Sequence, residues 1–139
     1  MKIALYLPEV FEPQEDGYNQ VDISSIGELD DAAYEEILVS DNLDFVDDRD
    51  AFTDEIVKKI RYGGKVVFSG VDIFEVARGI IARNIQAQDI NQILYLRRCS
   101  VSNVFDICKK LSSLGLKIIN KRINNYRYTV IAERPSPDA

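Results

Sequence analysis

DDRDAFTDEIVKKIRYGGKVVFSG, residues Asp47 to Gly70, spells a helix, a glycine turn and a covered strand in that order. Asp47 or Asp48 supplies a short carboxylate for the free N–H groups of a first helical turn. Phe52, Ile56 and Ile60 recur every fourth residue with Val57 beside them, so they share one helical face. Lys58, Lys59 and Arg61 fall in the last turn, where the helix dipole favours cations. Gly63 and Gly64 are expected to end the helix in the left-handed conformation that glycine reaches without a Cβ clash. Lys65–Ser69 (KVVFS) runs apolar without alternation, as a strand covered on both faces does. A helix that feeds such a strand is half of a parallel-sheet unit.

Upstream of this unit, Lys2–Leu7 (KIALYL) reads as a first strand, stopped by Pro8. Pro8–Tyr18 is a loop with two prolines, a glycine and four acidic residues. Asn19–Ile23 is a short second strand, Ser24–Ala33 a polar stretch with room for one helical turn, and Tyr34–Ser40 a third strand. Downstream, Asp72–Asn84 is expected to be helical with Ile73, Val76, Ala77, Ile80 and Ile81 on its inner face. Ala87–Arg97 is a weaker helix. A third begins at Ser100 or Ser102 and stops at Gly115. Leu116–Arg122 and Tyr126–Glu133 flank Asn124-Asn125, which tolerates positive φ, and so form an antiparallel hairpin. The whole is an α/β chain with a mostly parallel open sheet. Residues 1–134 make one domain and residues 135–139 a tail.

The 139 residues hold 46% apolar side chains, sufficient for a core, and a formal charge of −6 from 17 basic and 23 acidic residues. The acid lies mostly before Glu55, and the base after Lys58. This balance argues against a nucleic-acid backbone as the main partner. The sequence has no histidine, which removes His-based triads, general bases and metal sites. Cys99 and Cys108 are the only cysteines; they fit neither a zinc site nor a disulfide framework, and packing in and near a core helix accounts for them. No signal-peptide pattern and no run of about 20 apolar residues is visible, so a cytoplasmic protein without a membrane span is expected.

Several segments, in order, resemble the class I S-adenosylmethionine-dependent methyltransferase family. Gly17–Ile23 (GYNQVDI) is similar to that family's second strand, which closes on an acidic residue. Tyr34–Ile37 (YEEI) with Ser40–Phe45 (SDNLDF) resembles the fourth strand and its loop, and Arg61–Lys65 (RYGGK) the turn before the fifth. The final hairpin resembles its antiparallel sixth and seventh strands. The resemblance covers Lys2 to about Ala132. It implies a Rossmann-like methyltransferase fold with a truncated N-terminal half, because the third strand and its helix find no room between Asp22 and Tyr34.

It further implies S-adenosylmethionine as cofactor, with Leu7, Asp22, Glu28 and Ser40 on the cofactor side. Asp22 would take the ribose diol and Glu28, with Asp30, the adenine. Asp41 and Asn42 would face an unidentified acceptor, small or macromolecular, from the strand end where open α/β sheets place ligands. The chain departs from the family pattern at the first strand. Where a glycine-rich loop lets backbone approach the ligand, this sequence has Tyr6, Leu7, Pro8 and Glu9.

Plainer readings stand beside these. Asp22 can be a turn residue, and Asp41, Asp44, Asp47 and Asp48 lack the spacing of a calcium loop. Tyr126 and Tyr128, interleaved with Arg127, can stack on bases or simply alternate on a strand. Arg97, Arg98, Lys109, Lys110, Lys121 and Arg122 can form a basic surface. Two functions remain open: methyl transfer, or a non-catalytic binding or assembly module on the same fold. Because few helices precede Tyr34, one face of the sheet is expected to be covered by a homodimer or a partner subunit.

Overall fold

The computed structural model describes residues 1–8, 17–94 and 98–137. Expectations that fall on Glu9, Tyr95–Arg97 and the last two residues lie outside them. Among the described residues there is one six-stranded sheet: β1 (Lys2–Tyr6), β2 (Asn19–Asp22), β3 (Tyr34–Ser40), β4 (Ile60–Val71), β5 (Lys117–Asn124) and β6 (Arg127–Glu133). The order across it is β2-β1-β3-β4-β6-β5. β1 to β4 pair in parallel, and β6 joins β4 and β5 antiparallel. Helices α1 (Arg49–Lys59), α2 (Ile73–Ile81), α3 (Ala87–Leu94) and α4 (Val104–Ser113) connect the strands, together with 3-10 turns at Ile23–Glu28 and Asn42–Phe45.

Alternate residues of the strands build the main core. Ile3, Leu5, Ile37, Val39, Val66, Phe68, Val130 and Ala132 pack with Phe52, Ile56 and Val57 of α1 and with Val104, Ile107 and Leu111 of α4. Both helices therefore lie on one face of the sheet. On the opposite face Glu36, Leu38, Val67, Thr129 and Ile131 are only half-buried. Lys2 there stands 3.8 Å from Glu36 and 5.8 Å from the Tyr18 ring. A smaller core of Val71, Val76 and Ile85, with Ile90, Ile93, Leu94 and Tyr126 against it, seats α2 and α3 at the carboxyl end of β4.

The glycine turn differs from expectation. α1 ends at Lys59, and Ile60 already pairs with Tyr34 as strand. The chain then bulges out, so that Lys65 is the residue that meets Glu36. Gly63 and Gly64 form that bulge. The Gly63 N–H donates to Arg134 O at 2.6 Å, and the Arg134 N–H to Gly64 O at 2.9 Å. A Cβ on Gly64 would stand 2.9 Å from the Arg61 and Tyr34 carbonyls, so the glycine serves close backbone approach and not a helix cap. Arg134 belongs with the sheet: its guanidinium donates to Ile60 O at 2.7 Å and lies over the Tyr62 ring at 4.4 Å.

Other boundaries shift for local reasons. The hairpin turns at Asn125-Tyr126, both with positive φ (51° and 66°), one residue later than the Asn-Asn reading. The Asn103 side chain caps α4 by accepting from Asp106 N, so neither Ser100 nor Ser102 has that role. α2 buries Val76 and Gly79, while Ala77, Ile80 and Ile81 face outward; the closeness of Ile85 and Tyr126 to Gly79 fixes which side turns in. Cys108 packs partly against the main core, whereas Cys99 is exposed.

Lys59 is buried at the end of α1 and donates to Asp31 Oδ1 at 2.7 Å and Leu29 O at 2.8 Å, tying the helix to the segment before β3. The hydrogen bond from Lys59 holds the Asp31 carboxyl below its ordinary range, and the same bond pushes Lys59 up. A depressed acid stabilises above its unfolded pKa and loses that contribution as pH falls through the folded one. The raised lysine loses its contribution as pH rises through its folded pKa. Asp31→Asn is therefore expected to lower the urea midpoint at neutral pH, and to flatten the fall in that midpoint below the ordinary carboxylate range.

Candidate functional site

β1 is flanked by β2 on one side and β3 on the other, so the chain reverses its direction of travel across the sheet there. In open parallel sheets the ligand crevice lies at the carboxyl ends of the strands at that reversal. In this chain that position falls between the tips of β1 (Leu5, Tyr6) and β3 (Val39, Ser40).

Ser40 takes φ +54°, a left-handed conformation uncommon for a non-glycine residue. The residues after it diverge. Asn42 turns inward and is fully buried; its Nδ2 donates to Leu5 O at 3.0 Å and to Val39 O at 2.6 Å. One side chain thus staples the two strand tips together. Its Oδ1 is buried with no protein partner. Asp41 turns to the other side, accepting from Arg127 at 2.6 Å and 2.8 Å and from Ser69 at 3.0 Å, and so links β3, β4 and β6.

The remaining expected site residues are dispersed. Asp22 ends β2 and caps the following 3-10 turn, its Oδ1 accepting from the Ser24 N–H and hydroxyl, each at 2.9 Å. Leu7 is half-buried just past β1. Glu28 and Asp30 are exposed around the far end of that turn. The four clustered aspartates also go separate ways: Asp41 to Arg127, Asp44 inward, Asp47 to the Cys99 thiol at 3.6 Å, and Asp48 to the cap of α1. Among the described residues no group of three or more carboxylates or thiols could hold a metal ion. Tyr128 is buried in the core, so the aromatic and basic alternation of the last strand does not form a stacking surface.

Sequence reading missed Asp44 and Asp72 as organising groups. Asp44 is buried, accepts from the Ser102 hydroxyl, pairs with Arg98 at 2.9 Å and lies 3.7 Å from Arg49. Its backbone carbonyl accepts from Cys99 N at 2.7 Å. Burial pushes the carboxyl above its ordinary range, against the pull of Ser102, Arg98 and Arg49. Asp72 caps two helices: Oδ1 takes Phe74 N and Glu75 N of α2, and Oδ2 takes Val104 N of α4 at 2.9 Å. The two acids hold the Arg98–Asn103 segment over the end of the sheet. The spacing from Asp44 to Arg98 gives no local pattern; Asp72 before a helical run was the one available signal.

A cleft of ≈480 Å3 opens beside this segment, between α1 and α4, over Leu43, Phe68 and Leu111. Its charged rim is already paired. Arg49 donates to Ser100, Val101 O and Ser102, and Lys110 meets Asp50 and Asp54.

No protein-family model and no curated protein matches the chain. Solved structures do. An O-methyltransferase family protein from Burkholderia thailandensis aligns with a TM-score of 0.62 at 13% identity, over 86% of this chain and 36% of that one. An S-adenosylmethionine-dependent methyltransferase from Thermotoga maritima aligns at 0.60 and 12%, over 85% and 65%. The magnesium protoporphyrin IX methyltransferase of Synechocystis PCC 6803, determined with bound SAH, aligns at 0.57 and 14%, over 84% and 51%. The fold is thus the Rossmann-like methyltransferase fold, and the chain spans about one third to two thirds of the length of these proteins. No helix among the described residues is long and apolar enough to cross a membrane.

Arg98→Ala is expected to leave Asp44 with the Ser102 hydroxyl and the longer Arg49 contact and to cost about 3 kcal/mol of stability by urea unfolding, the lower end for breaking a buried ion pair from one side. Asp72→Ala removes the cap of α2 and the acceptor of Val104 N at the start of α4, where Asn103 remains as cap, with an expected loss of about 2 kcal/mol in the same measurement.

Proposed function

We propose that this chain is a non-catalytic module built on the methyltransferase fold, and that it acts by binding or assembly. The observation that carries the reading is Asn42. Its amide occupies the carbonyls of Leu5 and Val39 at the switch point of the sheet, where a nucleoside cofactor would need open backbone. Leu7 and Tyr6 add side-chain bulk at the tip of β1, and the Oδ1 of Asp22 already accepts twice from Ser24. The residues present do not fit S-adenosylmethionine in its usual crevice. The half-buried second face of the sheet is the place for a partner, a second copy of the chain or another subunit.

One feature favours the other reading, methyl transfer from S-adenosylmethionine to an unidentified acceptor. The buried, unpartnered Oδ1 of Asn42 is an acceptor that a ligand donor could satisfy. Isothermal titration with S-adenosylmethionine and with its demethylated product separates the two. No heat at millimolar ligand is expected. Micromolar binding that weakens in Asp22→Ala would overturn the module and restore the enzyme.

A further inference from the structure

The strand order β2-β1-β3-β4-β6-β5 puts the middle of the sheet between β3 and β4. α1 and α4 cover one face there. On the other face Leu38, Val67 and Ile131 are half-buried and fall in one row: Leu38 is opposite Val67, and Val67 opposite Ile131. Residues directly opposite one another on neighbouring strands share a face. Parallel strands are ordinarily covered on both faces, and this apolar row is what a cover would bury.

The next row on the same face is charged and alternates in sign. Lys2 is opposite Glu36, Glu36 opposite Lys65, Lys65 opposite Glu133, and Glu133 opposite Lys117. The adjacent residues Ile3, Ile37, Val66 and Ala132 sit in the main core, so these charges point away from α1 and α4. Glu36 accepts from the Tyr18 hydroxyl at 2.5 Å and lies 3.8 Å from Lys2, which leaves acceptor positions on its carboxylate. Lys65 and Glu133 form no ion pair among the described residues. Attraction within one sheet accounts for the alternation of sign, but not for the apolar row beside it.

A second copy, turned about a two-fold axis that runs along the strands between β3 and β4, satisfies both rows at once. Leu38 of each copy then faces Val67 of the other. Glu36 of each faces Lys65 of the other, and Lys2 of each faces Glu133 of the other. An axis lying on β3 or β4 sets like charges together, and so does an axis along the charged row. Face-packed sheets stand about 10 Å apart with strands within about 30° of one another, so the pairs nearest the axis meet best.

We infer that two copies of this chain form an isologous dimer through this face, with Leu38 and Val67 meeting at the two-fold axis and Glu36 and Lys65 pairing across it. The apolar row supplies the area withdrawn from water, and the alternating row fixes the register. The inference rests on the proposal that this face takes a partner, and it names that partner as a second copy.

Sedimentation equilibrium of the full chain tests it. A dimer is expected at micromolar concentration with no larger species, since a two-fold contact closes on itself. Lys65→Glu makes both facing positions acidic, and Glu36→Lys makes both basic. Each variant alone is expected to associate at least about tenfold more weakly, because like charges then meet across the axis. An equimolar mixture of the two variants should associate again, every facing pair being unlike. Circular dichroism checks that each variant folds. If one does not, Lys2→Glu mixed with Glu133→Lys makes the same comparison one strand further out. A wild-type monomer at hundreds of micromolar overturns the inference, as do assemblies larger than a dimer. A dimer that neither variant weakens overturns it in favour of another surface, and so does a mixture no tighter than its components. Titration of the same samples with S-adenosylmethionine keeps the two proposals separable. A monomer that gives no heat loses the second copy and keeps the non-catalytic module, whereas a dimer that binds the ligand at micromolar concentration keeps the second copy and loses the module.

Discussion

Asp44 and Asp72 act on one short segment from opposite ends. Asp44 binds Arg98 and Ser102 and, through its carbonyl, Cys99. Asp72 takes the N–H of Val104, and Ile73 N donates to Ser102 O. Neither acid has an exposed side chain. A buried carboxylate is tolerated only when its partners are fixed, so each acid constrains where the Arg98–Asn103 segment can run. That segment in turn positions α4, whose Ile107 and Leu111 complete the main core. The connection from β4 to β5 is long, and these two groups make it determinate.

At the other end of the same sheet tip, Asn42 provides a polar staple between β1 and β3. The left-handed Ser40 lets Asp41 and Asn42 part, one to Arg127 and one to Leu5. A polar side chain buried against two carbonyls is stable because it replaces hydrogen bonds that solvent or a ligand would otherwise make. The methyltransferase likeness and the non-catalytic reading are compatible for this reason. The topology sets where a site could be, and the side chains of Ser40, Asp41 and Asn42 at the end of β3 shape that place.

Much of the architecture was legible from periodicity. Tyr34–Ser40 was read with its exact limits, and the hairpin and the order of strands followed from apolar runs between turn residues. The errors share a cause. Gly63-Gly64 after Lys58-Lys59 has every local mark of a helix end, yet pairing of Ile60 with Tyr34 pulls the strand start forward. In α2 the run Ile80-Ile81 suggested an inner face, but Gly79 is the residue close enough to Ile85 and Tyr126 to turn inward. The Asp44–Arg98 pair joins residues 54 apart and leaves no trace at any local spacing. Site residues were legible as positions at strand tips; their directions depended on one backbone torsion at Ser40.

Arg134 has a consequence for the order of assembly. It closes the bulge of β4 from the last part of the chain, while β6, the final strand, covers the free side of β4. During vectorial synthesis β3 and α1 are available early, but β4 keeps a bare edge and loose glycines until Arg127–Arg134 has emerged. A nascent chain stalled near Gly115 would thus present a central strand open on one side, the kind of edge that recruits chaperones or neighbouring chains.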